Sequence, residues 1–207
     1  MSETLHEIAN RMVAGGKGIL AADESSGTIK KRFDSIGVES TEDNRRAYRE
    51  LLFRSEQAMN EAISGVILFD ETLRQNAADG TPLVKLITDA GAIPGIKVDQ
   101  GAKDMAGRPG EKLTEGLDGL PARMAEYHRL GARFAKWRAV ITIAQDGRPS
   151  WACIKANAHA LARYAIVCQE ANVVPIVEPE VLMDGPDAAH GIETCHKVTE
   201  WALNTLF

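Results

Sequence analysis

The chain has 207 residues, 24 basic and 29 acidic side chains, and so a formal charge of −5. Apolar residues make up 44% and charged residues 26%, an ordinary balance for a globular protein in water. There is no net positive charge to draw a phosphate backbone, so nucleic acid is excluded as the main partner. No apolar run approaches the ~18 residues of a spanning helix, so no membrane partner is expected. The N-terminal stretch Met1-Ser2-Glu3-Thr4-Leu5-His6-Glu7 is acidic and lacks the apolar core of a secretory signal. Cys153, Cys168 and Cys195 are odd in number and form no CxxC pair, which suits a reduced, cytoplasmic chain. By length alone the chain suits one domain or two small ones.

In chain order, Leu5, Ile8, Met12 and Val13 form one stripe of a short helix, ended by Gly15-Gly16. The run Gly18-Ile19-Leu20-Ala21-Ala22 then reads as a strand stopping at Asp23. Ala47, Leu51, Leu52, Ser55, Ala58, Met59 and Ala62 sit at helical spacing, with Ser40-Thr41 as caps and Glu42-Asp43 in the first turn. Gly65-Val66-Ile67-Leu68-Phe69 reads as a second strand, stopping at Asp70-Glu71. Between Asp70 and Gly95 only Leu83-Val84-Lys85-Leu86-Ile87 suggests a helix. Gly95-Ile96-Lys97-Val98-Asp99 is the third strand. Met124, Tyr127 and Leu130 make a stripe opened by Pro121 and closed by Gly131. Phe134-Ala135-Lys136-Trp137-Arg138 is the fourth strand. Ile154, Ala158, Leu161, Ala165 and Cys168 mark a helix with Ser150 as its cap. The fifth strand is Val173 to Glu180, and Ile192, Cys195, Val198, Ala202 and Leu206 mark the last helix.

Continuous apolar strands alternating with amphipathic helices predict a parallel sheet covered by helices. An open doubly wound sheet and a βα barrel both have this pattern, and both gather function beyond the C-terminal strand ends. A doubly wound nucleotide site carries its glycines after the first strand. Here Gly15-Gly16-Lys17-Gly18 precede it and Asp23-Glu24-Ser25-Ser26-Gly27 follow, which favours the barrel.

Every strand carries ionisable residues at or near its end; besides Asp70-Glu71 after the second, these are Asp23, Lys97, Asp99, Lys136, Arg138, Glu178 and Glu180. Any one of these is explained as readily by a structural ion pair. Five strands sharing the pattern point to a site. A lysine inside an apolar strand must be desolvated or paired, and desolvation lowers an amine's pKa toward Schiff-base or proton-transfer chemistry. Facing carboxylates can divide acid and base roles. Lys136 and Arg138 are two apart, so they share a strand face and suit an anionic substrate. Ser25, Ser26, Gly27 and Thr28 form a hydroxyl-rich loop suited to phosphate oxygens. Lys30-Lys31-Arg32 is as readily a solvated face as a phosphate contact. His6, His128, His159, His190 and His196 show neither HExxH nor a paired-ligand spacing, so no metal site is expected. Cys195-His196 reads as structural, and Tyr48, Tyr164 and Trp201 read as packing residues.

Together Gly18-Ile19-Leu20-Ala21-Ala22-Asp23-Glu24-Ser25, Gly95-Ile96-Lys97-Val98-Asp99, Phe134-Ala135-Lys136-Trp137-Arg138 and Val174-Pro175-Ile176-Val177-Glu178-Pro179-Glu180 resemble class I fructose-bisphosphate aldolase. Gly65-Val66-Ile67-Leu68-Phe69 and Gly116-Leu117-Asp118-Gly119-Leu120 fall in order between them. The resemblance implies an α/β (β/α)8 TIM barrel that cleaves fructose 1,6-bisphosphate reversibly into glyceraldehyde 3-phosphate and dihydroxyacetone phosphate. It implies a lysine Schiff base, no metal or other cofactor, and a homotetramer in the complete family member. It assigns Asp23 to the substrate hydroxyls and carbon–carbon cleavage, Lys97 to the 6-phosphate region, and Lys136 to the cation beside the Schiff-base nitrogen. Glu178 becomes the general acid/base, and Arg138 and Glu180 charged supports. Ser25, Thr28, Lys31 and Arg32 fall in the loop that binds phosphate and substrate; Thr28 stands where serine is commoner and keeps the hydroxyl.

The resemblance also implies an absence. The family's Schiff-base lysine lies on the sixth strand and the 1-phosphate site beyond the seventh and eighth. Five strand starts at a mean spacing of about 39 residues imply ~310 residues for eight units, against a typical barrel of ~250 or more. The 207 residues are therefore expected to be one incomplete barrel domain holding the first five βα units. Without that lysine the covalent mechanism has no first step, and an unclosed parallel sheet exposes two edges, so the chain is expected to be inactive and poorly folded unless a missing segment completes it. Two other readings compete: a non-catalytic remnant that binds phosphosugars or proteins, and a metal-dependent barrel enzyme, which the histidine pattern disfavours.

Overall fold

The computed structural model of the chain describes residues 3–183 and 190–207; Met1 and Ser2 of the acidic N-terminal stretch lie outside them. Thr4 opens α1 (Leu5–Met12) with both halves of a capping box, its hydroxyl accepting from the Glu7 N–H and the Glu7 carboxylate from the Thr4 N–H at 2.7 Å. The order then runs β1 (Gly18–Ala22), α2 (Ser26–Asp34), α3 (Glu42–Phe53), α4 (Glu56–Ala62), β2 (Ile63–Leu68), α5 (Asp70–Arg74), α6 (Leu83–Asp89) and β3 (Ile93–Lys97). It continues with β4 (Ala102–Asp104), β5 (Lys112–Thr114), α7 (Leu120–Arg129), β6 (Phe134–Ile141), α8 (Trp151–Glu170), β7 (Val174–Val181) and α9 (Ile192–Leu206). β1, β2, β3, β6 and β7 form a five-stranded sheet in that order, the helix-covered sheet expected from the strand–helix alternation and the partial (β/α) barrel implied by the resemblance. Among the described residues no helix is long and apolar enough to cross a membrane.

The chain divides into two compact units. One comprises Met1–Lys97, Met124–Ala135 and Ala171–Val174; the other Val98–Arg123, Lys136–Glu170 and Pro175–Phe207. In the first, β1 pairs parallel with β2, and β2 with β3, Leu68 lying opposite both Ala22 and Ile96. The ladder continues through Arg133 N–H to Pro94 O (2.8 Å) and Val174 N–H to Arg133 O (2.9 Å). Gly65 and Gly95 sit mid-strand rather than at strand starts, and the reason is the fully buried Phe134 ring. A Cβ built on Gly95 would stand 2.3 Å from that ring, and one on Gly65 2.9 Å from it.

In the second unit, Val98 N–H donates to Lys136 O at 3.1 Å and Leu182 N–H to Ile141 O at 2.9 Å. Ser150 caps α8 as expected, accepting from the Cys153 N–H at 3.2 Å; its own hydroxyl donates to Glu111 at 2.6 Å. Ile141, Ile143, Ile154, Val181, Val198 and Ala202 form a core cluster, with Cys195 and Trp201 packed against it. Tyr164 and Trp137 are fully buried ring to ring, centroids 5.5 Å apart, and Trp201 stacks on Trp151.

Several expectations are corrected. The helix stripe from Ala47 to Ala62 is two helices: Ser55 leaves helical geometry (φ −75, ψ 75), and its hydroxyl donates back to Leu51 O. The buried positions are Arg49, Phe53 and Met59, whereas Leu51 is 69% exposed. The hydroxyl-rich loop expected at Ser25 to Thr28 is instead the start of α2: Ser25 is its N-cap and Ser26, Gly27 and Thr28 are its first turn, leaving only Asp23 and Glu24 between strand and cap. The β4–β5 hairpin leaves no apolar run in the sequence, because each strand has three residues, two of them charged in β4.

Candidate active site

In the second unit the parallel pairing of β6 with β7 turns two sequence spacings into two ion pairs. Lys136 and Arg138 lie two apart on β6, and Glu178 and Glu180 two apart on β7. Lys136 Nζ stands 3.6 Å from Glu178 Oε2, and Arg138 Nε 2.9 Å from Glu180 Oε2. Between the two cations on β6, Trp137 points to the opposite face and is buried against Tyr164, which fixes the strand's rotation. The Tyr164 hydroxyl donates to Ile176 O at 3.2 Å, anchoring β7 two residues before Glu178. Lys136 and Arg138 lie inside β6 rather than at its end, because the buried run Ala139-Val140-Ile141 prolongs the strand.

Burial pushes the Glu178 carboxyl above the ordinary carboxylate range; Lys136 opposes this and Glu180 adds to it. A carboxyl held in this way exchanges a proton closer to neutral pH than a solvated one. Its raised pKa favours the folded state at low pH, and that contribution is lost as pH rises through the folded value. Replacing the nearby cation, Lys136→Met, should raise the Glu178 titration midpoint further, read by carboxyl carbon NMR; an unchanged or lowered midpoint would contradict the pairing. Asp99 lies in the same unit, accepting from the Gly101 N–H at 3.0 Å. Burial pushes the Cys153 thiol up to about 11 and the Cys168 thiol up to about 12, so neither offers a thiolate near neutral pH.

In the first unit, Asp23 is half-buried immediately beyond β1, and Lys97 is the half-buried last residue of β3. Ser25 and Thr28 meet at the start of α2, their hydroxyls 3.1 Å apart, with the Thr28 N–H donating to Ser25 Oγ at 3.4 Å. The hydroxyl cluster therefore faces the positive end of a helix, where anions are favoured. Lys31 and Arg32 are exposed on α2, and Arg32 Nη1 donates to Glu24 Oε1. Glu24 itself, and Arg49 on α3 which pairs with it at 2.9 Å, were not singled out from the sequence. The available signal was Arg49 four residues before the buried Phe53, on the helix face that turns inward.

A family model described as fructose-bisphosphate aldolase class-I matches residues 4–207. A protein of Xanthomonas campestris pv. campestris described as "Probable fructose-bisphosphate aldolase class 1" is 62% identical over 205 residues, 99% of this chain and 60% of the relative. Fructose-bisphosphate aldolase C of Carassius auratus is 54% identical over 199 residues, 96% of this chain and 54% of the relative. A solved structure of the Plasmodium falciparum fructose-bisphosphate aldolase, in complex with TRAP and a small molecule inhibitor, matches with a TM-score of 0.90 at 49% identity. It covers 98% of this chain and 58% of that one. The chain thus spans 54% to 60% of the length of these relatives.

Proposed function

The chain belongs to the class I fructose-bisphosphate aldolase family, and from that premise we propose that its strand-end residues serve Schiff-base cleavage of a phosphorylated sugar. The reaction is the reversible splitting of fructose 1,6-bisphosphate into glyceraldehyde 3-phosphate and dihydroxyacetone phosphate. The observation that carries this is Glu178, a half-buried carboxyl raised by burial and standing 3.6 Å from the Lys136 ammonium. Such a group can give a proton to a departing hydroxyl and take one back, as dehydration of a carbinolamine requires. Lys136 supplies the cation beside the nitrogen that becomes an iminium. Its charge discourages protonation of the amine before attack. Arg138 and Glu180 hold the neighbouring charge balance.

Asp23 takes the substrate hydroxyls and assists carbon–carbon cleavage. Ser25 and Thr28 offer hydroxyls, and the start of α2 offers N–H groups, to a phosphate. Lys31, Arg32 and Lys97 add positive charge for the phosphorylated substrate. The nucleophilic lysine is assigned to the family's sixth strand and not to Lys97 or Lys136; a Schiff base is itself the electron sink, so the proposed reaction needs no metal or other cofactor. In this reading the 207 residues are one incomplete barrel domain, and cleavage requires the lysine of the sixth strand. In a completed protein the expected setting is a cytoplasmic homotetramer.

Two measurements test this. Fused to the C-terminal remainder of the Xanthomonas relative, the chain should cleave fructose 1,6-bisphosphate in a coupled assay. The 207 residues alone, given borohydride with dihydroxyacetone phosphate, should remain unlabelled. Labelling at Lys97 or Lys136 would overturn the supporting roles assigned to them. A fusion that binds the bisphosphate without cleaving it would favour a non-catalytic remnant.

A further inference from the structure

A buried ion pair lies directly behind Asp23, and none of the roles above uses it. Arg49 projects from α3 with its side chain 3% exposed, and the Glu24 side chain it meets is 7% exposed. Burying two charges carries a large desolvation penalty, and well-packed apolar residues commonly stabilise such a position as well or better. The pair is also incompletely satisfied: among the described residues Arg49 Nε and Nη1 and Glu24 Oε2 have no hydrogen-bond partner, so the Arg49–Glu24 side-chain contact is one of charge. Stability is therefore a poor reason for its presence. What it supplies is fixed geometry.

Arg49 Nη2 lies 2.9 Å from Glu24 Oε2 and also donates to the Glu24 main-chain carbonyl at 3.2 Å. One guanidinium nitrogen thus hydrogen-bonds the Glu24 backbone and attracts the Glu24 carboxylate by charge. On the other side of Asp23, Ala22 is in parallel register with Leu68 of β2. Asp23 is therefore held between a sheet-paired residue and a clamped one. The second Glu24 oxygen, Oε1, accepts from Arg32 Nη1, which ties the same carboxylate to the exposed cation on α2. Arg49 also lies over the Tyr48 ring at 5.2 Å, and Tyr48 meets Phe33 of α2 edge to face at 5.9 Å. The base of the clamp is thus fixed to both helices.

We propose that Arg49 is a positioning residue for Asp23, acting through Glu24: by fixing the main chain and side chain of Glu24 it aims the Asp23 carboxylate at the substrate hydroxyl from which cleavage starts. The proposal rests on the aldolase reading of this chain. It places Arg49 in the cleavage step and leaves Schiff-base formation independent of it.

The test uses the full chain fused to the C-terminal remainder of the Xanthomonas relative, with R49K and E24Q variants. Both should lower kcat for fructose 1,6-bisphosphate cleavage by ~10- to 100-fold, the scale of a misplacement below ~1 Å, with KM changed less than ~3-fold. Borohydride trapping of dihydroxyacetone phosphate on the fusion should stay within ~2-fold of the unsubstituted protein. The double variant should be no slower than the slower single one, because both act on one contact. A lowered melting temperature with unchanged kcat would make the pair merely structural and overturn the proposal. So would a rise in KM alone, a parallel loss of trapping, or multiplying kcat losses in the double variant. If R49K does not fold, E24Q carries the same outcomes. An unsubstituted fusion that neither traps dihydroxyacetone phosphate nor cleaves the bisphosphate overturns the aldolase reading, and this proposal falls with it. An active one leaves the variants to decide on Arg49 alone.

Discussion

In the fusion that completes the barrel, Glu178→Gln should lower kcat by ~10²- to 10⁴-fold, the usual contribution of a positioned acid/base group. KM for fructose 1,6-bisphosphate should move less than ~3-fold. Glutamine keeps the shape of the side chain and can still hydrogen-bond, but it can neither release a proton to a leaving hydroxyl nor take one back. The 3.6 Å separation from Lys136 also makes the change tolerable to the fold, since the pair is not a tight hydrogen bond whose loss would strand a buried cation. Steady-state kinetics with circular dichroism as a folding control would decide it. Unchanged turnover would remove Glu178 from the chemistry, while a KM effect alone would make it a binding residue.

The largest stability effect is expected at Gly95. An alanine Cβ there would stand 2.3 Å from the Phe134 ring, a separation no pair of carbons sustains. Phe134 has no solvent-exposed surface into which the ring could withdraw. Gly95→Ala in the same fusion should therefore cost ~3 kcal/mol, the upper part of the range for overpacking a core. That is a large share of the ~5–15 kcal/mol that holds a typical domain together. Urea unfolding would measure it. Adding F134L, which removes the ring, should recover part of the loss if the clash is its source. A cost below ~1 kcal/mol for G95A, or no recovery in the double variant, would contradict the packing.

Much of the site can be read in the strands because a buried strand leaves a plain trace. Lys97 and Lys136 stand out as lysines flanked by apolar residues, and Asp23 and Glu178 as carboxylates ending or interrupting such runs. The period of two by itself puts Lys136 on one strand face with Arg138, and Glu178 on one with Glu180. Helix faces are less legible. Ala47 and Leu51 have the spacing of a core stripe, yet the helix turns Arg49 and Phe53 inward instead. An arginine is counted as solvated by every local rule, so a buried one is visible only when its acidic partner arrives from 25 residues away.

The alternation of apolar runs with helical stripes determined that the chain builds a parallel, helix-covered sheet, and the ionisable residues set into those runs determined where chemistry would be sought. Those are local properties: side-chain direction repeats every two or 3.6 residues whatever the rest of the chain does. The tertiary structure decided the pairings. Strand register set Lys136 against Glu178 and Arg138 against Glu180, across 42 residues in each case. Packing decided that Gly65 and Gly95 lie mid-strand, to admit one ring, and that Arg49 closes on Glu24 behind Asp23. Each of these depends on which surfaces meet once water is excluded, and no local period carries that information.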